Sequence, residues 1–198
     1  MERTREQIAE AANKFLQQRR YDKAAAELRC LVDTDPKDLR AKLRLAEILA
    51  KTGALQEATA RYRQVADVYA EQGFPMKAIA ALRQVLLFDD HAAQIHLELG
   101  QLHHQRGQEA ECLRHFGHAA AFFQQAGDEG KALVALKKMV ELRPDDVQNR
   151  VQLAKLFVAH GKIEQAVVQL RGTVRYLERN NDVAQARQLA SWAVELAP

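Results

Sequence analysis

The sequence is poor in residues that interrupt helices. Its 198 residues include only nine glycines and four prolines, and aromatic residues account for 6%. The hydrophobic share of 47% and the charged share of 28% are typical of a folded chain and not of a disordered one. Helix breakers are therefore scarce in a chain that has enough apolar residues to fold.

Cysteines and long apolar runs are also few. Cys30 and Cys112 lie far apart in the chain, within helical patterns, and we expect two reduced, buried thiols rather than a disulfide. No stretch approaches the ~18 apolar residues of a membrane span. The beginning, MERTREQIAEAANKF, is charged from its second residue, so no secretory signal is expected. We therefore expect a cytoplasmic protein.

A strong excess of one charge sign is missing as well. The net charge of +3 is too small to indicate nucleic-acid binding by itself. Residues 1–63 hold 14 Lys and Arg against 10 Asp and Glu, and aromatic stacking platforms are not interleaved with these charges. We interpret this region as a solvated face of mixed charge, with a nucleic-acid-binding helical repeat as the alternative.

Apolar residues recur every three or four positions. In LRAKLRLAEILAKTG they place Leu39, Leu43, Ala46 and Leu49 on one helix face, and no convincing alternating run appears anywhere. The pattern predicts an all-α chain.

Residues typical of helix ends recur at one fixed spacing, since the distance from position 53 to 107 equals that from 107 to 161. Glycine or asparagine suits the left-handed position that ends a helix, and aspartate suits the position that begins one. The recurring sets are Gly53, Gly107 and Gly161; Gly73, Gly127 and Asn181; Pro36, Asp90, Pro144 and Pro198; and Asp128 and Asp182. They predict a single solenoid domain over 1–198, with a two-helix partial unit at 1–36 and three-helix units at 37–90, 91–144 and 145–198, about eleven helices in all.

Small residues share this interval, since alanine stands at 24, 78, 132 and 186. The segment RRYDKAAAELRCLVDTDP and the Leu99–Gly100 pair in LELGQLHHQRG resemble the tetratricopeptide repeat. The resemblance implies an antiparallel α-α superhelix. Motif-like windows begin near positions 5, 39, 59, 93, 113, 147 and 167, with long and short spacings in alternation. The chain therefore resembles a bacterial-type variant in which each middle helix serves two hairpins.

The resemblance also implies a groove for a protein or peptide partner, lined by the first helix of each unit. An apolar row of Leu43, Leu97 and Val151 would suit an amphipathic partner, although the row is equally compatible with core packing. The implied partner-binding residues are Arg40, Leu43, Glu47 and Lys51; Gln94, Leu97, Gln101, His104 and Gln105; and Gln148, Val151, Lys155 and Val158.

Trp192 stands where the other units have Lys138 and Gln84. We expect that this tryptophan is covered, by the open end of its own stack, by a second copy of the chain or by a partner. The last helix lacks an obvious polar outer face, which indicates self-association or continuation of a longer protein.

No catalytic constellation, cofactor motif or metal site is predicted. His103 corresponds to Leu49 and Phe157 and is expected to fill a packing site, whereas His115 corresponds to Arg61 and Gln169 and is expected to be solvated. His115 and His118 have a spacing that would suit a shared metal, but carboxylate or thiol partners are not evident. The predicted function is a non-enzymatic interaction scaffold, of the kind found in bacterial cytoplasmic adaptors.

Overall fold

The computed structural model describes residues 3–197, and all regular structure among them is helical. This confirms the predicted all-α fold with eleven helices. They are α1 (Arg5–Gln17), α2 (Tyr21–Thr34), α3 (Leu39–Lys51), α4 (Leu55–Glu71), α5 (Pro75–Val85), α6 (Ala93–Gln105), α7 (Glu109–Gln125), α8 (Glu129–Leu142), α9 (Val147–Ala159), α10 (Ile163–Arg179) and α11 (Val183–Leu196). None of these helices has the length and apolarity needed to span a bilayer.

Equivalent helices begin at the constant interval that the sequence predicts. The helices α3, α6 and α9 begin at positions 39, 93 and 147, and α4, α7 and α10 begin at 55, 109 and 163. The helices α2, α5, α8 and α11 begin at 21, 75, 129 and 183. The regular spacing of the turns thus sets the order of the helices and the position where each one begins.

The helix ends follow from local backbone chemistry. Gly73, Gly127 and Asn181 all have positive φ angles, as expected for residues that end a helix in the left-handed conformation. Arg19 occupies the same place in the first partial unit and also has a positive φ of 55°. The sequence did not indicate this, because arginine is a poor residue for that conformation. Asp128 accepts a hydrogen bond from the Lys131 backbone N–H, which confirms its role as an N-cap.

The chain forms two compact units, Met1–Asp90 and His91–Pro198. Within each unit consecutive helices are joined by short turns and pack on each other, and the middle helix of a triplet packs closely on both of its neighbours. The boundary between the units coincides with the end of the predicted repeat 37–90, whereas the last predicted boundary, Pro198, lies outside the described residues. The single domain expected from the sequence stays a prediction.

The core of each unit lies between its stacked helices. Leu28, Leu45 and Leu49 are fully buried in the first unit, and Phe116 and Leu136 are fully buried in the second. The recurring alanines at 24, 78 and 132 have no exposed surface, which lets the helix axes approach closely.

Both cysteines are free thiols. Cys112 is buried as expected, and burial raises the pKa of its thiol. Cys30 is exposed, so the prediction that both thiols are buried is wrong for this residue.

Candidate functional site

Most side chains predicted to bind a partner lie at the surface. Gln94, Leu43, Val151, Val158 and Trp192 are half-buried. The exposed ones are Arg40, Glu47, Lys51, Gln101, His104, Gln105, Gln148 and Lys155. These residues stay predicted binding residues, available to a partner by their exposure.

Leu97 differs from the other predicted binding residues. Only 6% of its surface is exposed, and it belongs to the same core cluster as Cys112 and Phe116. Leu97 therefore packs in the core and is not available to a partner. Val151 also packs against this cluster. In the compact unit His91–Pro198 the predicted apolar row therefore contributes to core packing.

The first unit contains a groove of about 380 Å³ that includes two of the predicted binding residues. Its lining consists of Glu47, Ala50, Lys51, Tyr62, Gln84, Leu87 and Phe88. Tyr62 is buried, and desolvation raises its pKa to about 12, so the phenol stays neutral. The groove therefore combines a neutral aromatic wall with one acidic and one basic side chain.

Leu87 is the most exposed large apolar side chain of the described residues, at 78%. It follows the end of α5, which is three residues shorter than its equivalents α2, α8 and α11. The residues that correspond to Leu87 in the other copies are Asp33, Glu141 and Glu195. Sequence reasoning missed Leu87, although this replacement of an acidic residue by leucine was visible in the aligned copies.

The last helix has an uncovered apolar face. Val194 is 66% exposed, whereas the corresponding Val32 and Val140 are 4% and 9% exposed. In those copies the next helix packs against the helix that carries the valine, α3 against α2 and α9 against α8. Trp192 on the same helix is half-buried and packs against the core of its unit, which agrees with the edge-packing alternative.

A cluster of histidines lies between α6 and α7 in the second unit. His96, His103 and His115 are buried, with 5%, 3% and 1% of their surface exposed. The packing role predicted for His103 is confirmed. The prediction that His115 is solvated is wrong, since its ring lies against the rings of His96 and His103, where α6 and α7 pack on each other.

The hydrogen bonds define which ring nitrogens carry protons. The Arg114 side chain can only donate hydrogen bonds, so His115 Nε2 accepts from Arg114 Nη2 at 3.1 Å. His115 Nδ1 then carries the proton and donates to His96 Nδ1 at 2.9 Å. His103 Nδ1 donates to Gln108 Oε1 at 2.7 Å. His103 Nε2 is buried and has no hydrogen-bond partner among the described residues.

Burial and the neighbouring arginine determine the protonation of His115 and Glu111. Burial, with the nearby Arg114 cation as the second cause, lowers the pKa of His115 to about 3. The hydrogen bond from Arg114 lowers the pKa of Glu111. At neutral pH the cluster therefore holds a neutral imidazole beside a carboxylate.

Three side chains of the cluster offer ligand atoms to one point. His103, Glu111 and His115 each place one nitrogen or oxygen within 4.8 Å of the others. A carboxylate that was not evident from the sequence therefore lies beside two of the histidines. The signal in the sequence was Glu111 four residues before His115 on one helix face, whereas His118, the partner considered for His115, is exposed and does not belong to this group.

Several solved structures, two of them named as tetratricopeptide repeat proteins, are similar to the chain at low sequence identity. A complex of the yeast Sti1 TPR2AB domain with pHSP90 is 14% identical, covers 98% of each chain and has a TM-score of 0.38. BtubC from P. vanneervenii is 14% identical over 96% of this chain and 90% of its own, with a TM-score of 0.43. The protein TTC0263 of Thermus thermophilus is 18% identical over 96% and 99%, with a TM-score of 0.33.

No curated protein matches the sequence. The family model described as tetratricopeptide repeat matches residues 10–67 and 63–111. These two matches together cover slightly more than half of the chain, and they include the Leu99–Gly100 pair and the alanines at 24 and 78. The chain belongs to the tetratricopeptide repeat family.

Proposed function

We propose that this protein is a non-enzymatic interaction scaffold whose first unit binds an amphipathic segment of a partner protein in the groove beside Leu87. Tetratricopeptide repeats serve in general as protein-interaction modules, and the family membership supports the general function. The proposal for this groove rests on one observation, the 78% exposure of a leucine where the other copies have acidic residues.

The groove suits an amphipathic segment because its lining is mixed. Leu87 and Phe88 supply apolar surface, and a partner side chain that covers Leu87 would remove this surface from water, at about 25 cal/mol per Å². Glu47 and Lys51 lie one turn apart on α3 and are both exposed. A segment with one apolar face and flanking charges of both signs would match this surface.

The test is a cross-linking pull-down from the native cell with the full chain as bait. Leu87→Glu carries the residue found at positions 141 and 195, so we expect it to fold normally. The matched control is Val168→Glu, at a valine that is 64% exposed and lies outside the groove. We expect the wild type and the control to capture the same partner, and Leu87→Glu to recover at least about tenfold less of it. A tenfold loss corresponds to about 1.4 kcal/mol of binding free energy.

Equal recovery of that partner by the Leu87→Glu bait would show that the groove is not the binding surface. Treatment with nuclease and moderate salt separates this function from nucleic-acid binding, which weakens steeply with salt. The described ion pairs of the first unit support a mixed-charge face: Arg3 with Glu27, Arg5 with Asp38, and Arg29 with Glu57. We also propose a bacterial, cytoplasmic protein, in keeping with the repeat style.

A second candidate function is self-association through α11. The exposure of Val194, at a place that is buried in the first and third copies, supports it. We expect light scattering to show concentration-dependent association of the wild type, and Val194→Glu to abolish it while Val168→Glu does not. A monomer at all concentrations would rule out this candidate.

A further inference from the structure

We propose that His103, Glu111 and His115 bind a divalent transition-metal ion, with Zn²⁺ as the ion best suited to the ligand set. The inference does not depend on the proposed partner groove, which lies in the other unit. Two imidazoles and one carboxylate are ligands that zinc uses in proteins, whereas Mg²⁺ and Ca²⁺ require oxygen ligands.

The strongest observation is the unsatisfied nitrogen of His103. Its Nδ1 donates to Gln108 Oε1, which also accepts from Arg106 Nη1 at 3.2 Å. The Nε2 atom therefore carries a lone pair that is buried without a partner. An unsatisfied buried polar atom costs roughly 1–3 kcal/mol, and a metal ion bound to this nitrogen would satisfy it.

His115 is prepared in the same way. Its Nδ1–H donates to His96, so Nε2 presents its lone pair toward Glu111 and Arg114. Hydrogen bonds of this type to the distal ring nitrogen commonly orient histidine ligands in metal sites. Both histidines thus have an orienting partner at Nδ1 and an unprotonated Nε2, which in His115 accepts from Arg114.

In the described conformation the guanidinium of Arg114 lies where the metal ion would bind. Its Nη2 atom lies 2.5 Å from Glu111 Oε2 and 3.1 Å from His115 Nε2. The Arg114 side chain is 50% exposed and the Glu111 side chain 39%. A metal ion would enter from this side and displace the guanidinium into solvent.

Only a small contraction is needed to form the site. The ligand atoms lie within 4.8 Å of one another, and the ligands of a tetrahedral zinc ion lie about 3.3 Å apart, given Zn–N distances of about 2.0–2.1 Å. The exposed Glu111 side chain has the freedom to move. Three protein ligands leave a fourth position for water or for a partner's side chain, and the ion would link α6 to α7.

The other repeat units provide natural replacements for testing the site. The residues equivalent to His103 and Glu111 are Leu49 and Glu57 in one copy and Phe157 and Gln165 in the other. His103→Leu should therefore fold, since Leu49 is buried at the equivalent place. Glu111→Gln changes a partly exposed side chain, so it provides a second variant that leaves the core intact.

The experiment titrates ZnCl₂ into the full chain after removal of metals with EDTA, and follows binding by calorimetry. We expect one zinc ion per chain, and at a free concentration 100-fold above Kd a rise in Tm of about 5–10 °C. X-ray absorption at the zinc edge should show two imidazoles at about 2.0–2.1 Å. His103→Leu and Glu111→Gln should each weaken binding at least tenfold.

Matched controls separate this site from weak binding by surface histidines. His118→Gln and His104→Gln remove exposed histidines outside the triad and should leave the affinity unchanged. Gln108→Ala removes an orienting partner and should weaken binding about 10–100-fold, whereas Arg114→Gln removes the competing cation and should strengthen it. The proposal is overturned if zinc does not bind, or if His103→Leu and Glu111→Gln bind it as tightly as the wild type.

Discussion

Gly100 in α6 faces the ring of Phe116 in α7 with no room for a side chain. A Cβ atom at Gly100 would lie 2.5 Å from Phe116 Cε1, well inside van der Waals contact. The equivalent pairs of positions hold Ala46 with Tyr62, and Ala154 with Leu170. The copies therefore accommodate different residues at one crossing by changing both members of the pair.

We predict that Gly100→Ala lowers the free energy of unfolding by about 1–3 kcal/mol, because overpacking outweighs the better helix propensity of alanine. The double variant with Phe116→Leu has the residue pair found at positions 154 and 170. In that background Gly100→Ala should lower the free energy of unfolding by less than it does in the wild type. Denaturant unfolding of both single variants and the double variant measures this coupling. Strictly additive effects would contradict a direct contact between these two positions.

At the scale of a helix, a capping residue can both begin one helix and connect it to another. Asp38 accepts a hydrogen bond from the Ala41 backbone N–H at the start of α3, and it also pairs with Arg5 of α1 at 2.5 Å. The backbone hydrogen bond is the main cause that lowers the pKa of Asp38, and the interaction with Arg5 lowers it further. The carboxylate thus stabilises one helix and connects it to another.

Asp38→Asn tests the role of this charge, because asparagine also caps helices well. A carboxyl with a lowered pKa stabilises the fold above its unfolded pKa of about 3.9, and this stabilisation is lost as the pH falls through the folded pKa. We expect the variant to lose about 0.5–1 kcal/mol at pH 7 and to depend less on pH below about 4. Asp33→Asn, at an exposed position of α2, is the control; an equal effect of both variants would argue against a specific role of the Asp38 charge.

Across the whole molecule, stability depends on where a helix lies in its stack. Ala132 in α8 has no exposed surface and lies where α8 packs between α7 and α9, whereas α11, which contains Ala186, packs mainly on α10. A repeat protein of this type is stabilised by contacts between neighbouring helices. Interior positions are therefore more constrained than equivalent positions at an end.

We predict that Ala132→Leu lowers the free energy of unfolding by about 1–3 kcal/mol. Ala186→Leu should cost less, since α11 has fewer neighbours and can shift to make room. Thermal and denaturant unfolding of the two variants give the comparison. A melt of Ala132→Leu identical to the wild type would contradict the proposed close crossing.

The sequence by itself determined the helical class, the spacing of the helices and most of their ends, because these features depend on local chemistry. Glycine at 53, 107 and 161 and aspartate at 128 and 182 act on the nearest backbone groups, so their effects depend little on distant residues. The left-handed conformation of Arg19 was not predicted, because the two helices that flank it impose the turn against the preference of arginine.

The tertiary structure alone decided which polar and apolar residues are buried. Leu97 and His115 both lie on amphipathic helices, and the width of the face that a neighbouring helix covers determines whether such residues reach solvent. The convergence of His103 with Glu111 and His115 likewise requires α6 and α7 to pack in one register. Sequence periodicity specifies a helix and its apolar face, but the contacts between helices specify the site.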